Sequence, residues 1–286
     1  MMRGMLAAVS GLKAHEIMMD VTANNIANVN TVGYKSARTS FENAFSQTLR
    51  GASGATGALG GTNATQIGLG VQLGGTESLM TEGSIQSTGV PLDCAIQGNG
   101  FFRVALWNSA TNAFSASKLY TRAGDFTTDT NGYLVTRDGH YVVGYAVDPV
   151  TGAVTSPATE QRILINPATT QTVSIDQKGV VWTTDAAGTQ RAVGAITLAK
   201  FPNENGLVRV EGNLFTASPG SGAEVPGTPD DGSGLGTLVA GALEMSNVDL
   251  ANEFTSLITA ERGFQANSRV ITTTDEMLQD LVNLKR

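Results

Sequence analysis

The two ends of this 286-residue chain repeat apolar side chains every seven residues, and the long middle does not. Met5, Leu12, Met19 and Ile26 make one column near the N-terminus. Leu250, Leu257, Phe264, Ile271 and Leu278 make a second near the C-terminus, widened by Phe254, Met277, Leu281, Val282 and Leu284. A sustained repeat of seven places one face of a helix along another helix. At 1.5 Å per residue it predicts rods of roughly 40 Å from Arg3 to Asn28 and roughly 55 Å from Val248 to Leu284. The two rods can pair within one molecule, but a two-helix hairpin leaves apolar surface over. Further neighbours are therefore expected, and they are expected to be copies of the same chain.

Between the ends the period changes to two. In "FTTDTNGYLVTRDGHYVVGYAV" the pairs Asn131-Gly132 and Asp138-Gly139 separate strand-like runs, which is a hairpin signal. The span from Leu73 to Leu243 reads as mostly antiparallel β, and "SPGSGAEVPGTPDDGSGLG" (Ser218 to Gly236) as an irregular loop. "GASGATGALGGTNATQIGLGVQLGG", Gly51 to Gly75, is too glycine-rich for a helix and is expected to be an adjustable connector through Gly51, Gly54, Gly57, Gly60 and Gly61. The fold class expected is α+β. The chain divides into helical ends at residues 1–33 and 246–286, a glycine-rich segment at 34–72 and a β-rich region at 73–245.

Charge and residue chemistry exclude several functions. With 18 Lys and Arg against 25 Asp and Glu the net charge is −7, and no basic cluster tracks a phosphate backbone, so nucleic acid is not an expected partner. No apolar run approaches the ~18 residues of a membrane span, and "MMRGMLAAVSGLKAHE" breaks off too soon for a secretory core. A single cysteine, Cys94 in "LDCAI", permits no internal disulfide and reads as a small buried side chain. His15 and His140 lie in segments of different character and belong to no motif. The acidic run around Asp129 fits a calcium loop badly, with Thr127 at its first ligand position and Asp138 rather than Glu at its twelfth. "GNGFF" lacks the strand, helix and acidic partner of a dinucleotide site. No catalytic, cofactor-binding or metal site is expected, and the chain reads as a non-enzyme.

The N-terminal rod ends in "ANNIANVNTVGYKS", with asparagine at 24, 25, 28 and 30. "SGLKAHEIMMDVTANNIANVNTVGYK" resembles the N-terminal signature of the axial proteins of the bacterial flagellum, the rod and hook subunits, in which a helix runs into "NNIAN" and a "T-x-G-[FY]-K" exit. "ALEMSNVDLANEFTSLITAERGFQANSRVITTTDEMLQDLVNLKR" is similar to the same family's C-terminal helix. "PLDCAIQGNGFFRV", "YTRAGDFTTDTNGYLVTRDGHYVVGY" and "FPNENGLVRVEGNLFTASPGSG" fit its β region. The resemblance implies a tubular homopolymer in which both terminal helices line the core, with 1–33 and 246–286 as a coiled-coil-like inner domain, 34–72 as a connector and 73–245 as an outer domain. Met5, Leu12, Met19, Ile26, Leu250, Phe254, Leu257, Phe264, Ile271, Leu278 and Leu281 would then be subunit contacts, and Asn24, Asn25 and Asn28 would bond neighbouring backbones and fix register. It implies other axial proteins at the two ends (rod and hook–filament junction), and passage through the flagellar export apparatus without signal cleavage. The endings "LEMSNVDL", "GFQANSR" and "LVNLKR" look closer to the hook subunit. The absence of room for an additional outer domain is shared with the distal rod subunit. Hook is the reading preferred, with distal rod as the alternative.

Overall fold

The computed structural model describes residues 2–55, 60–109 and 112–284. They form two compact units. One runs through Ala27, from Ala37 to Leu79 and from Val248 onward; the other comprises Asn28–Ser36 and Met80–Asn247. The architecture is α+β, with a helix at each end and mostly antiparallel sheets.

The first unit holds both helices, α1 (Met2–Ala27) and α2 (Leu250–Asn283), within two residues of the rods expected from the repeats. α2 starts where Asp249 caps it, the carboxylate accepting from the backbone N–H of Ala251 (2.9 Å) and Asn252 (3.4 Å). The stretch after Ser36, read from composition as a connector, is instead a two-stranded ribbon. Strand β1 (Ala37–Asn43), β2 (Ser46–Arg50), β3 (Thr65–Gly68) and β4 (Val71–Ser78) pair β1 with β4 and β2 with β3, both antiparallel. Beyond them Ser53 and Thr62 exchange two backbone bonds of 3.0 Å. The ribbon returns onto α1 at Gly70, whose φ of +121° and lack of a side chain let it lie against Ser10 and Ala7. There the Ser10 hydroxyl accepts from Val71 N–H at 3.2 Å. This packing puts 37–79 with the helices rather than in a separate link, and the unit boundaries differ from those expected at 33/34 and 72/73.

The β unit is built on a sheet whose main path runs through eight strands, antiparallel at every pairing. Their order is Thr170–Ile175, Val180–Asp185, Gln190–Ile196, Tyr141–Val147, Phe101–Asn108, Ala113–Thr121, Leu214–Thr216 and Val208–Arg209. The first five residues of strand Phe101–Asn108, Phe101–Ala105, are buried on both faces: Phe102 and Val104 enter one core with Phe126, Leu134, Val142, Ile163 and Ile196. Phe101 enters another with Tyr120, Phe201 and Phe215. Both expected hairpin turns form. In each only the glycine, Gly132 or Gly139, takes a positive φ, so the loops are longer than the two-residue primed turn that Asn-Gly and Asp-Gly suggested. The segment expected as irregular, Ser218 to Gly236, contains a short strand, Val225–Gly227, paired with Leu198–Lys200.

Candidate assembly interface

α1 and α2 lie antiparallel in a single register. Asn25 meets Glu253, His15 meets Gly263 and Gly11 meets Asn267, so each step forward along one helix is matched by an equal step back along the other. The positions most deeply buried are small or polar: Ala8, Gly11, Ala14, Thr22 and Asn25 on α1, Ala260 and Thr274 on α2. A methyl on Gly11 would come within 2.6 Å of the Asn267 amide nitrogen, and one on Gly263 within 2.5 Å of the His15 ring. Bare backbone is what admits the facing side chain.

The heptad columns flank this seam. Met5, Leu12, Met19, Ile26, Leu257, Phe264, Ile271 and Leu278 are half-buried, as is Asn28; Leu250, Phe254, Leu281 and Asn24 are exposed. Further out, Leu6 (62% exposed), Val9, Ile258, Val270 and Met277 stand in solvent. So many large apolar side chains along a helix pair form the kind of patch that soluble proteins reserve for association. Of the connector glycines, Gly51, Gly54, Gly60 and Gly61 are exposed, and Gly57 lies outside the described residues.

Asn25 acts inside the chain. Its amide nitrogen donates to Ala37 O (2.7 Å) and to a Glu253 carboxylate oxygen (3.0 Å), and its amide oxygen accepts from Ala37 N–H (3.0 Å). One side chain thereby fastens the end of α1 to the start of β1 and to the first turn of α2. Burial raises the Glu253 carboxyl above its usual range, against the lowering effect of the Asn25 bond.

The exit after α1 explains the "T-x-G-[FY]-K" pattern within the β unit. Gly33 has φ +67° and no space for a side chain, since a methyl would lie 2.5 Å from Ala123 N. Tyr34 is buried beneath the Arg209 guanidinium, 4.7 Å from its ring centre. Lys35 is buried and pairs with Glu244, which is fully buried and also accepts from Gly83 N–H (2.9 Å) and Arg122 (3.3 Å). Lys35 further donates to Thr81 O at 2.8 Å. Burial lowers the Lys35 pKa, and Glu244 opposes it. Asn247, just before α2, accepts from Ser36 N–H at 2.7 Å. Residues 33–36, 81–83 and 244–247 are thus bonded together.

A second charged group was not anticipated from the sequence. Arg103, fully buried, contacts Glu160 and Glu224; Lys118 contacts the same two carboxylates, and the Tyr120 hydroxyl donates to Glu224 at 2.6 Å. Burial pushes both glutamates up, but the hydrogen bonds and charges of Lys118, Arg103 and Tyr120 hold them below the usual carboxylate range. A signal existed in "FFRVAL", where one charge interrupts an apolar strand. Cys94 sits in strand Cys94–Gln97, its thiol pushed up to about 12 by burial, which makes it a packing residue.

Residues 5–35 match the profile described as "Flagella basal body rod protein", 95–183 the "Flagellar hook protein FlgE/F/G D1 domain", and 239–284 the "Flagellar basal body rod FlgEFG protein C-terminal". The chain is 43% identical over 287 residues to the flagellar basal-body rod protein FlgG of Bacillus subtilis, covering all of both. It belongs to the flagellar rod and hook family. FlgG of Agrobacterium fabrum is 38% identical, over 96% of this chain and 97% of that one. The flagellar hook protein FlgE of Borreliella burgdorferi is 29% identical across a 450-residue alignment that covers all of both chains. The family is structural, made of axial proteins of the flagellum rather than enzymes. Its first and last profiles meet in this fold through Lys35–Glu244 and Asn25–Glu253.

Proposed function

We propose that this chain is a distal rod subunit of the flagellar basal body, polymerising into a straight tube. The observation that carries the reading is colinearity. Proteins named as FlgG align end to end over 287 and 278 residues, whereas the 286 residues of this chain span the 450-position hook alignment only with long gaps. The hook reading, drawn from the C-terminal endings, is the less supported of the two. Each copy uses its helix pair to pack against the helix pairs of its neighbours along the axial core. Met5, Leu12, Met19, Ile26, Leu250, Phe254, Leu257, Phe264, Ile271, Leu278 and Leu281 supply the apolar contacts. Other axial proteins bound the polymer at its ends, and the subunit reaches its place through the flagellar export apparatus without signal cleavage.

Electron microscopy of tubes assembled from the purified protein tests this. Straight tubes are expected; curved, supercoiled tubes support the hook instead, and a protein that forms no tubes at any concentration overturns the polymer reading.

A further inference from the structure

The apolar columns of α1 and α2 recur every seven residues, so sliding one helix past the other by seven would match apolar to apolar again. Hydrophobicity alone therefore does not fix the register. What distinguishes the observed alignment is the set of contacts that occur once. The His15 ring occupies the space left by Gly263, and the Asn267 amide that left by Gly11. After a slide of seven in one direction His15 would face Ser256, and in the other Val270, both of which carry a Cβ where glycine has none. Asn25 would lose Glu253 and face Ala260, or pass beyond the start of α2 at Leu250.

We propose that Asn25 is the register-determining residue of the helix pair, acting through its bonds to Glu253 and to the backbone of Ala37, with the His15–Gly263 and Asn267–Gly11 contacts excluding the slipped alternatives. Its chemistry is specific. Asn25 is 1% exposed, and both amide protons and the amide oxygen are bonded, two donors and one acceptor on three different groups. Aspartate has the same shape but no protons to give, and at neutral pH it would set a second carboxylate against Glu253. The register in turn decides which of the flanking residues, such as Leu6, Val9, Ile258 and Met277, stand side by side for a neighbouring copy. That last step rests on the polymer reading above; the register itself does not.

Two measurements on the full-length chain separate these. The first is disulfide trapping. Met18→Cys with Ala260→Cys lies in the observed register and is expected to oxidise efficiently, whereas Ala8→Cys with Met277→Cys requires a slide of seven, leaves Asn267 in place, and is not. Cys94 is fully buried and does not compete. Adding Asn25→Asp is expected to cut in-register trapping severalfold, and Glu253→Gln, whose amide can donate to the introduced carboxylate, to restore it. Unchanged trapping in Asn25→Asp, or loss that Glu253→Gln does not rescue, overturns the proposal. The second is the critical concentration for tube formation, expected to rise about tenfold or more in Asn25→Asp, the equilibrium equivalent of roughly one lost charged hydrogen bond, and to return with Glu253→Gln. Normal tubes from Asn25→Asp, with slipped trapping, would leave the register lock standing and refute its link to assembly.

Discussion

Glu244→Gln is the most discriminating single change in the β unit. Glu244 is fully buried, and its carboxylate accepts from Lys35, Gly83 N–H and Arg122; the Arg122 guanidinium also donates to Gly98 O at 2.9 Å. Glutamine keeps the volume and one acceptor but removes the charge, leaving two buried cations facing an amide. Breaking a buried pair by neutralising one partner costs about 3–5 kcal/mol. For a unit of this size that is a fall in Tm of roughly 6–20 °C, read by calorimetry on the full chain. The pH dependence identifies the cause. Burial already holds the Lys35 pKa below its ordinary value while Glu244 opposes the shift, and removing Glu244 deepens the depression. A lysine depressed in the folded state is neutral there while still protonated in the unfolded chain. Its cost is therefore relieved as pH rises through the folded value toward the ordinary lysine value of about 10.4. Tm of Glu244→Gln should climb relative to wild type between neutral pH and about 10, and Lys35→Met added to Glu244→Gln should recover part of the loss at pH 7. A drop under about 2 °C, or a double variant no better than the single, would refute the reasoning.

Acid should act on the other charged group. Glu160 and Glu224 are held below the usual range, so their contribution is complete above about pH 4.3 and is lost as pH falls through the depressed values, leaving Arg103 buried beside neutral partners. Glu160→Gln with Glu224→Gln should lower Tm at pH 7 and flatten its fall between about pH 4.5 and 2.5; an unchanged acid limb counts against it. Leu257→Asp or Ile271→Asp should abolish tubes while the β-unit melt stays in place, because an unpaired charge buried at every repeated contact costs several kcal/mol; normal tubes from either sink the helix-contact assignment. At the ribbon tip, a methyl on Gly51, Gly54 or Gly60 meets nothing within 4 Å, so alanine there should leave Tm unchanged or slightly raised.

Local periodicity carried much of this fold and long-range chemistry little of it. The sevens in Met5–Ile26 and Leu250–Leu278 gave both helices, and period two with Gly132 and Gly139 gave the hairpins. The seam escaped because a hydrophobic pattern ranks positions by side-chain size, whereas close approach at Gly11 and Gly263 depends on having no side chain. The four asparagines after Ala23 signalled that the helix end needed polar partners. Two partners of Asn25 are twelve and 228 residues away in the same chain, a pairing that spacing cannot reveal. Glycine content hid the ribbon, since β3 and β4 carry Gly68, Gly74 and Gly75 within paired strands.

The placement of small residues inside the helix pair and large ones outside has an energetic consequence for assembly. Glycine contributes no apolar side-chain area and alanine little, so the seam of Ala8, Gly11, Ala14, Ala260 and Gly263 gains only modestly from burial and takes its definition from polar contacts. The outward side chains Leu6, Val9, Phe254, Ile258, Val270, Met277 and Leu281 are between 37% and 62% exposed. Burying such a side chain fully is worth about 1.5–3 kcal/mol, and these are about half exposed, so covering all seven yields on the order of 5–10 kcal/mol before the cost of association. On the proposed polymer reading, a neighbouring copy that covers this face adds apolar burial that the small residues of the seam do not supply. Each added subunit would then gain that burial and complete the packing of the one before it, which is the thermodynamic condition for a polymer that grows at its end.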